Sequence, residues 1–350
     1  RNSLLMRSSL QLRPSMVTNL GKITAAVHVL LWTRTVYGWA RSAISRTEVR
    51  GLSSSDELRY VLVCNEEVLD CQVNSEEILK TFPRGPYTTA RTHQLRHVFE
   101  FDFHNRRIAE SADLMVKAGT LKAADDHKDL INPAKLRHRY MACMRKAIET
   151  YREKCQTDEL KLTTLLNVDD QKSLLYVHVQ TLGKRPDGEV KIQIMGAPRS
   201  NALAKDSAWV SDREGLWTSR EEGVHEVVLC GADGRLYEGL SSNLFVIGTD
   251  SSGSKTLYTA GEGVLLGTVR GLIIKMCGEL GVEVVEAAPT LAQAAAADEL
   301  LISSTSRWAL PVTEVVLPDK TTMRPKSTAV GNAIYELILK HALDNSVCIA

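Results

Sequence analysis

Apolar residues recur along this chain with two different periods, and they predict strands in some segments and helices in others. Short runs rich in Val, Ile, Leu and Tyr, bounded by polar turns, predict strands because branched and aromatic side chains fit a pleated surface. The predicted strands cover residues 60–64, 68–73, 87–92, 98–103, 160–168, 174–182, 190–195, 226–230, 244–247, 282–286 and 299–303.

Apolar positions spaced three or four residues apart predict helices between several of these strands. Ile108, Ala112 and Met115 form such a stripe, and Pro133 stands at the favoured first turn of another helix. Because strands and helices are interspersed along the chain, we expect an α/β (α+β) fold. The predicted helices cover residues 104–118, 133–155, 268–280 and 329–343.

The length of 350 residues allows one large domain or two moderate ones. Residues 183–188 are charged and flanked by Gly and Pro, which indicates a linker, although a hairpin turn fits the same pattern. With the linker interpretation, we expect a smaller domain over residues 56–185 and a larger one over residues 186–350.

Charge is distributed unevenly, although the net charge is only +1. Residues 1–47 contain six Arg, one Lys and no acid, and they are rich in Ser, a composition typical of an organellar transit peptide. We therefore expect residues 1–55 to be a transit peptide for plastid or mitochondrion, or a disordered extension of a cytoplasmic protein. The apolar run at 23–32 is shorter than the roughly 20 residues that cross a bilayer.

The remaining composition indicates which partners not to expect. Near-zero net charge gives no sign of a nucleic-acid or membrane partner. The seven cysteines form no Cys-x-x-Cys pair, and only His93 and His97 among the nine histidines have His-x-x-x-His spacing. We expect neither a disulfide framework nor a metal site.

One segment carries a specific chemical pattern, the run Glu-Gly-Leu-Ser-Ser-Asn-Leu-Phe at residues 238–245, with Lys205 lying 33 positions before Glu238. This run resembles the signature of the class IV (branched-chain and D-amino-acid) aminotransferases. The resemblance implies the two-domain fold-type IV architecture with pyridoxal phosphate in the cleft between domains. It also implies that Lys205 forms the Schiff base and moves the α-proton, and that Glu238 pairs with the pyridine nitrogen.

Three further segments resemble the parts of this family that hold the cofactor phosphate. Residues 265–270 are similar to a turn whose amides bind phosphate, which assigns Thr268 and Val269 to that role. Residues 301–306 end a strand and place Thr305 at a phosphate-binding threonine, while residues 104–112 place Arg107 on the phosphate.

The resemblance is weaker for the residues that line the substrate and for the residue that contacts the cofactor ring oxygen. Residues 86–91 resemble a strand of the small domain, so Tyr87 and Arg91 are the predicted substrate-binding residues. Trp209 stands near the place of the tyrosine that contacts the cofactor ring oxygen in many relatives, so that contact is unassigned. Lys184 and Arg199 are rival cations without the required spacing.

The resemblance implies a homodimeric enzyme that transfers an amino group between an amino acid, of branched-chain or D type, and a 2-oxo acid. An aminodeoxychorismate lyase of the same fold is the alternative, because the Thr-Thr-Ala-Arg segment at residues 88–91 also occurs there. A catalytically silent homologue acting as a binding protein is a further alternative. A Rossmann site at residues 261–263 is rejected because the Gly-x-Gly-x-x-Gly spacing is missing.

Overall fold

The computed structural model describes residues 60–153, 155–199 and 202–349. The prediction of a transit peptide or extension over residues 1–55 lies outside these residues. The helices are α1 Ser75–Thr81, α2 Phe101–Lys117, α3 His127–Leu130, α4 Pro133–Arg152, α5 Ala208–Asp212, α6 Glu214–Thr218, α7 Thr268–Glu279, α8 Leu291–Ala296 and α9 Ala329–His341. The strands are β1 Tyr60–Cys64, β2 Glu67–Leu69, β3 Tyr87–His93, β4 His97–Phe99, β5 Leu160–Asp169, β6 Lys172–Thr181, β7 Lys191–Ile194, β8 Val224–Cys230, β9 Leu236–Gly239, β10 Asn243–Thr249, β11 Lys255–Tyr258, β12 Glu283–Val285, β13 Glu299–Ser304, β14 Trp308–Val312, β15 Glu314–Val316, β16 Thr322–Met323 and β17 Ser346–Cys348.

The first sheet has seven antiparallel strands in the order β17-β4-β3-β5-β6-β1-β2. Residues that pair across strands share a face, and Ala90 opposite Leu162 belongs to the core that α2 and α4 cover. Phe101 of α2 and Tyr140 of α4 stack in this core with ring centroids 5.2 Å apart. The opposite face of β3 and β5 carries Tyr87, Thr89, Lys161 and Thr163.

The second sheet has ten strands and mixes parallel and antiparallel pairs. Its main order is β12-β11-β10-β9-β8-β7-β15-β16, and β13 and β14 continue from β10. α7 and α9 pack on β10, β13 and β14 through a second core that includes Phe245, Ile273, Trp308 and Ile334. The strand β10 begins within the run at residues 238–245, and it lies inside this sheet because it pairs with β9, β11 and β13.

Two helix starts follow directly from the sequence. Pro133 occupies the first turn of α4, and the Asn132 side chain accepts hydrogen bonds from the amides of Ala134 and Lys135, as expected of an N-cap. At α7 the cap is Gly267, which has no side chain to bond the first amides of the helix. The beginning of α7 is therefore open to an external anion.

The predicted strand over residues 98–103 is wrong in its second half. β4 ends at Phe99, Glu100 turns into the left-handed region with a φ of 53°, and α2 already begins at Phe101. The predicted return over residues 68–73 is also too long, because β2 ends at Leu69. In both places apolar residues that suggested strand pairing are instead buried beyond the end of the strand: Phe101 inside the helix-covered core and Cys71 in a loop.

The segment at residues 183–188 joins β6 of the first sheet to β7 of the second. A hairpin turn at this point is therefore wrong, since the strands on either side do not pair. The boundary of the two predicted domains stays a prediction; the seventh strand of the first sheet, β17, comes from the far end of the chain. No helix in the described part of the chain is long and apolar enough to cross a bilayer.

Candidate active site

A polar cavity of about 280 Å³ lies between β3 and β5 of the first sheet and β9, the start of α7 and the turn after β13 of the second. Its wall contains every predicted site residue except Arg91. These residues are Tyr87, Arg107, Lys205, Glu238, Thr268 and Val269, with Thr305 on the turn after β13.

Lys205 lies on the loop between β7 and α5, and its backbone is held by α2 and by β3 of the first sheet. Its amide donates to the Ser111 hydroxyl at 3.1 Å, and its carbonyl accepts from the Tyr87 amide at 2.8 Å. Its side-chain amine lies 4.7 Å from the centroid of the Tyr87 ring. The Lys205 backbone is therefore fixed from two elements and its amine lies against Tyr87, which favours a positioned nucleophile.

Burial and the neighbouring charges together lower the pKa of the Lys205 amine. Burial lowers the pKa of Lys205, and the nearby Arg107 and Arg199 lower it further, whereas Tyr87 acts in the opposite direction. For the Tyr87 phenol, burial alone would raise the pKa, but the positive charges of Lys205 and two arginines outweigh burial and lower it. A larger fraction of the Lys205 amine is therefore neutral, and able to attack a carbonyl, than for an exposed lysine.

Glu238 is buried at the end of β9 and both of its oxygens have partners. Oε1 accepts from Arg199 Nε at 2.7 Å, and Oε2 accepts from the Leu265 amide at 2.9 Å. Burial raises the pKa of this carboxyl, while the Arg199 charge opposes that effect. Asn243, opposite Glu238 in the sheet, donates to the Leu265 carbonyl at 2.7 Å and so fixes the same loop.

The opening of α7 and Arg107 form the cationic end of the cavity. Arg107 is buried, donates to the Leu266 carbonyl and lies over the Phe103 ring at 4.9 Å. Burial lowers its pKa to about 10, which keeps it charged at neutral pH. The Val269 side chain packs into the second core, so only its backbone amide is available to a phosphate.

Several polar atoms in this wall have no partner among the described residues. Ser303 Oγ and His104 Nε2 are buried beside the cavity without a hydrogen bond. Burial lowers the pKa of His104 to about 3, and its Nδ1 lies 2.7 Å from the Thr88 hydroxyl, so the ring is neutral at neutral pH. Unsatisfied donors, a bare helix start and a buried arginine are the groups that a phosphate would satisfy. The site therefore fits a phosphorylated pyridine cofactor, whose ring nitrogen Glu238 would hold.

The remaining predicted residues lie differently. Arg91 is outside the cavity wall; its guanidinium lies 4.5 Å from the Trp308 ring centroid, and its nitrogens donate to the Ser306 and Thr92 carbonyls. Trp209 Nε1 donates to the Leu240 carbonyl at 2.9 Å, so it does not replace a ring-oxygen phenol. The Tyr87 ring lies next to the Lys205 amine, so Tyr87 is a phenol at the site that could take the place of the missing tyrosine.

Sequence reasoning missed four cations of this wall. Arg199, by sequence only a rival of the lysine, pairs with Glu238. Lys161, Arg213 and Arg307 also line the cavity. The only signal for Lys161 was that it is the one charged residue of the predicted strand 160–168, and Arg213 carried none.

Comparison with known proteins identifies the family. A family model for amino-transferase class IV matches residues 85–315, which include the whole cavity wall apart from α1. This chain belongs to the class IV aminotransferases. Class IV aminotransferases use pyridoxal phosphate, in agreement with the donor set described above. The family and cofactor predictions are thereby confirmed.

Two curated relatives carry branched-chain names. A Thermotoga maritima protein, named "Probable branched-chain-amino-acid aminotransferase", is 25% identical over 239 residues, covering 67% of this chain and 75% of its own length. A shorter match is 34% identical over 93 residues to a Methanocaldococcus jannaschii protein with a branched-chain aminotransferase name. It covers 27% of this chain and only 31% of the length of that relative.

Solved structures of other class IV aminotransferases share the fold. A branched-chain aminotransferase of Thermoproteus uzoniensis, crystallised with norvaline, superposes with a TM-score of 0.63 at 16% identity, covering 83% of this chain and 99% of its own. A Mycobacterium tuberculosis aminotransferase in its PLP-bound form gives a TM-score of 0.61 at 18% identity, covering 81% and 98%. The predicted fold-type IV architecture is confirmed.

Proposed function

We propose that this class IV aminotransferase transfers an amino group between an amino acid and a 2-oxo acid, with Lys205 as its catalytic residue. The observation that carries the proposal is the arrangement of Lys205 and Glu238 in one cavity with the open start of α7. When bound, pyridoxal phosphate supplies an electron sink for the carbanion at the substrate α-carbon.

The residues of the chain divide this task between them. The Lys205 amine attaches the cofactor and moves the proton at the α-carbon, which its lowered pKa assists at neutral pH. Glu238, held by Arg199 and the Leu265 amide, would fix the ring nitrogen. Arg107, the amides of Thr268 and Val269, and Thr305 would hold the phosphate. Tyr87 closes the wall beside the Lys205 amine.

The direct test is the visible spectrum of the protein after addition of pyridoxal phosphate. We expect a violet absorption band in the native chain and none in Lys205→Ala, because only the native chain binds the cofactor covalently. Addition of a donor amino acid should bleach the band, and the amino acids that do so identify the donor. A native protein without the band would overturn the proposal and favour a silent binding protein.

The lyase stays the second candidate, because the Thr-Thr-Ala-Arg segment at residues 88–91 is also found in aminodeoxychorismate lyases. In this chain the strand β3, which contains the segment, borders the cavity through Tyr87, Thr88 and Thr89. A lyase would release pyruvate from 4-amino-4-deoxychorismate without an oxo-acid acceptor, whereas a transaminase requires one. Branched-chain donors are supported by the names of the two curated relatives, and D-amino acids only by the family resemblance.

Assembly and location belong to the same proposal. A homodimer is supported by the family resemblance, and light scattering of the purified protein would test it. An organellar location is supported by the acid-free segment at residues 1–47. Import of the full chain into isolated plastids or mitochondria, compared with a chain that begins at residue 56, would test that location.

A further inference from the structure

The segment that carries Lys205 is paired with the segment that leads into β3. Residues 205–207 and 85–87 run antiparallel and form an isolated bridge. The Tyr87 amide donates to the Lys205 carbonyl at 2.8 Å, and a second backbone hydrogen bond, of 3.0 Å, joins the other ends of the two segments. The start of β3 therefore sets the position of the lysine backbone.

Arg84 holds the residue next to this lysine, Asp206, with a fork of two nitrogens. Arg84 Nε donates to both carboxylate oxygens of Asp206 at 3.0 Å, and Nη2 donates to Oδ2 at 2.5 Å. The Asp206 side chain is 8% exposed, and its Oδ1 also accepts from the Ala208 amide at the beginning of α5 at 3.0 Å. A fork of this kind fixes the orientation of a carboxylate as well as its distance, which a single donor does not.

The backbone that follows Arg84 lies tightly against β5. A Cβ at Gly85 would be 2.0 Å from the Leu166 carbonyl oxygen, so no side chain fits there without moving the backbone. The Leu166 amide donates to the Pro86 carbonyl at 3.0 Å, which extends the pairing of β3 with β5 to this point. Arg84 therefore holds Asp206 from a backbone that is itself fixed to the first sheet.

We propose that Arg84 is a positioning residue for Lys205 and acts through Asp206. This inference rests on the proposed function, which assigns the reacting amine to Lys205. Lys205 lines the cavity, whereas the side chain of its neighbour Asp206 is directed away from the cavity wall to Arg84. The fork on Asp206 prevents the segment from turning about its own axis. It thereby keeps the Lys205 amine at its place 4.7 Å from the centroid of the Tyr87 ring.

The test is the pH profile for attachment of pyridoxal phosphate, measured as the rate at which the violet band appears. Burial is the main cause of the lowered pKa of the Lys205 amine, so an amine that leaves its place loses part of that effect. In Arg84→Met we expect the profile to move about one unit to higher pH, so that the rate at pH 7 falls about tenfold. The titratable and charged groups that act on the amine and remain in this variant are Tyr87, Arg107, Arg199 and Arg213.

A double variant separates the placement of Lys205 from the charge of Asp206. Arg84→Met leaves a buried carboxylate without its counter-charge, which destabilises the protein and also acts on the amine directly. Arg84→Met combined with Asp206→Asn removes that charge, while the amide oxygen can still accept from the Ala208 amide. We expect the double variant to resist urea better than the single variant and to keep its profile at higher pH. A double variant with the native profile would overturn the inference.

Lys80 provides the matched control. Its amine pairs at 2.9 Å with Glu214 of α6, so it also joins the residues before β3 to those after Lys205. Its other ion pair is with Glu76 of its own helix, at 3.0 Å. Lys80→Met should therefore leave the profile in place. An equal shift in Lys80→Met would show that any loosening between the two segments is sufficient, and would refute the specific role of Arg84.

A second measurement separates this inference from the proposed function. Competitive acetylation of the cofactor-free protein with acetic anhydride, followed by mass spectrometry, gives the pKa of the Lys205 amine without pyridoxal phosphate. We expect this pKa to be higher in both Arg84 variants than in the native chain. A violet band in the native chain together with unchanged profiles in the variants refutes the positioning role alone. Absence of the band refutes the proposed function, and acetylation then decides the positioning role: a raised pKa in the variants supports it and an unchanged pKa refutes it.

Discussion

Arg199 Nε lies 2.7 Å from Glu238 Oε1, and both side chains are almost completely buried, with 9% and 6% of their surfaces exposed. Removing one partner of a buried pair leaves a charge without compensation, which costs about 3 kcal/mol or more. We therefore expect Arg199→Met to lower the free energy of unfolding by about that amount. Urea denaturation of the cofactor-free protein measures it.

The matched control for this pair is the double variant Arg199→Met with Glu238→Gln. The amide carries no charge, so the double variant should recover much of the stability that the single variant loses. If the two variants unfold at the same urea concentration, the pair does not have the role assigned to it.

Tyr87 is expected to set the pH at which Lys205 reacts. Burial lowers the pKa of Lys205 and Tyr87 raises it, so Tyr87→Phe should lower it further. The neutral amine is then available at lower pH, and the pH profile for attachment of pyridoxal phosphate should move to lower pH. Stopped-flow absorbance over a pH series measures this profile. Tyr258→Phe, in β11 outside the cavity wall, should leave it in place; a shift to higher pH in Tyr87→Phe would refute the interaction.

Gly267 at the start of α7 is expected to be necessary for phosphate binding. A Cβ at this position would lie 2.2 Å from Asn243 Oδ1, and Asn243 is held by the Leu265 carbonyl. Gly267→Ala must therefore displace the loop that carries the first amides of the helix. We expect pyridoxal phosphate affinity to fall by at least about tenfold, measured by equilibrium dialysis.

Gly271, one turn further along α7, provides the control for that substitution. A Cβ there would meet no atom within 4 Å, and alanine is the better helix former by about 1 kcal/mol. Gly271→Ala should keep the affinity and raise the thermal midpoint. Equal loss of affinity in both variants would show that the helix, and not the loop, had been disturbed.

Glu226 and Arg307 form the support beneath the signature turn. The buried Glu226 carboxylate accepts from Arg307 at 2.6 Å and from the Ser241 and Ser242 hydroxyls at 2.7 and 3.0 Å. Arg307→Met should lower the free energy of unfolding by about 3 kcal/mol, because Glu226 loses its counter-charge. Arg324→Met, which removes an exposed partner of Glu189 and Glu314, should cost less than about 1 kcal/mol.

The same pair predicts a dependence on pH. Burial alone would raise the pKa of Glu226, but Arg307 and the two hydroxyls outweigh it and lower the pKa. The contribution of this carboxylate is therefore fully present above the unfolded pKa of about 4.3 and is lost as pH falls through the folded value. Acid unfolding should begin at higher pH in Arg307→Met than in the native chain; unchanged acid unfolding would contradict this role.

The residues that the sequence singled out line one cavity, with the exception of Arg91, and they could be found because they stand in short segments with local signatures. Glu238, Thr268 and Arg107 each stand in a run of several residues whose types serve a turn, a helix start or a buried helix face. The pairing of Arg199 with Glu238 could not be predicted in this way. Glu238 is 39 positions away from Arg199, and only the pairing of strands brings the two together.

The fold, too, was predictable where the signal is local in sequence and not where distant residues determine the structure. The helix from Pro133 was predictable because its cap and first-turn proline are adjacent in sequence. Short strands such as β9 and β17 lack a period of their own and are formed by their neighbours in the sheet. Phe101 was assigned to a strand because its burial by the distant Tyr140 has no local signal.

The pairing of β17 with β4 has a consequence for the order of folding during synthesis. β4 leaves the ribosome early, but its outer edge is covered only when residues 346–348 arrive, after all strands of the second sheet. Until then that edge is exposed to pairing with other chains. The first sheet is the first to be synthesised and the last to be completed. Loss of a few residues at positions 346–349 should therefore lower solubility more than their small number suggests.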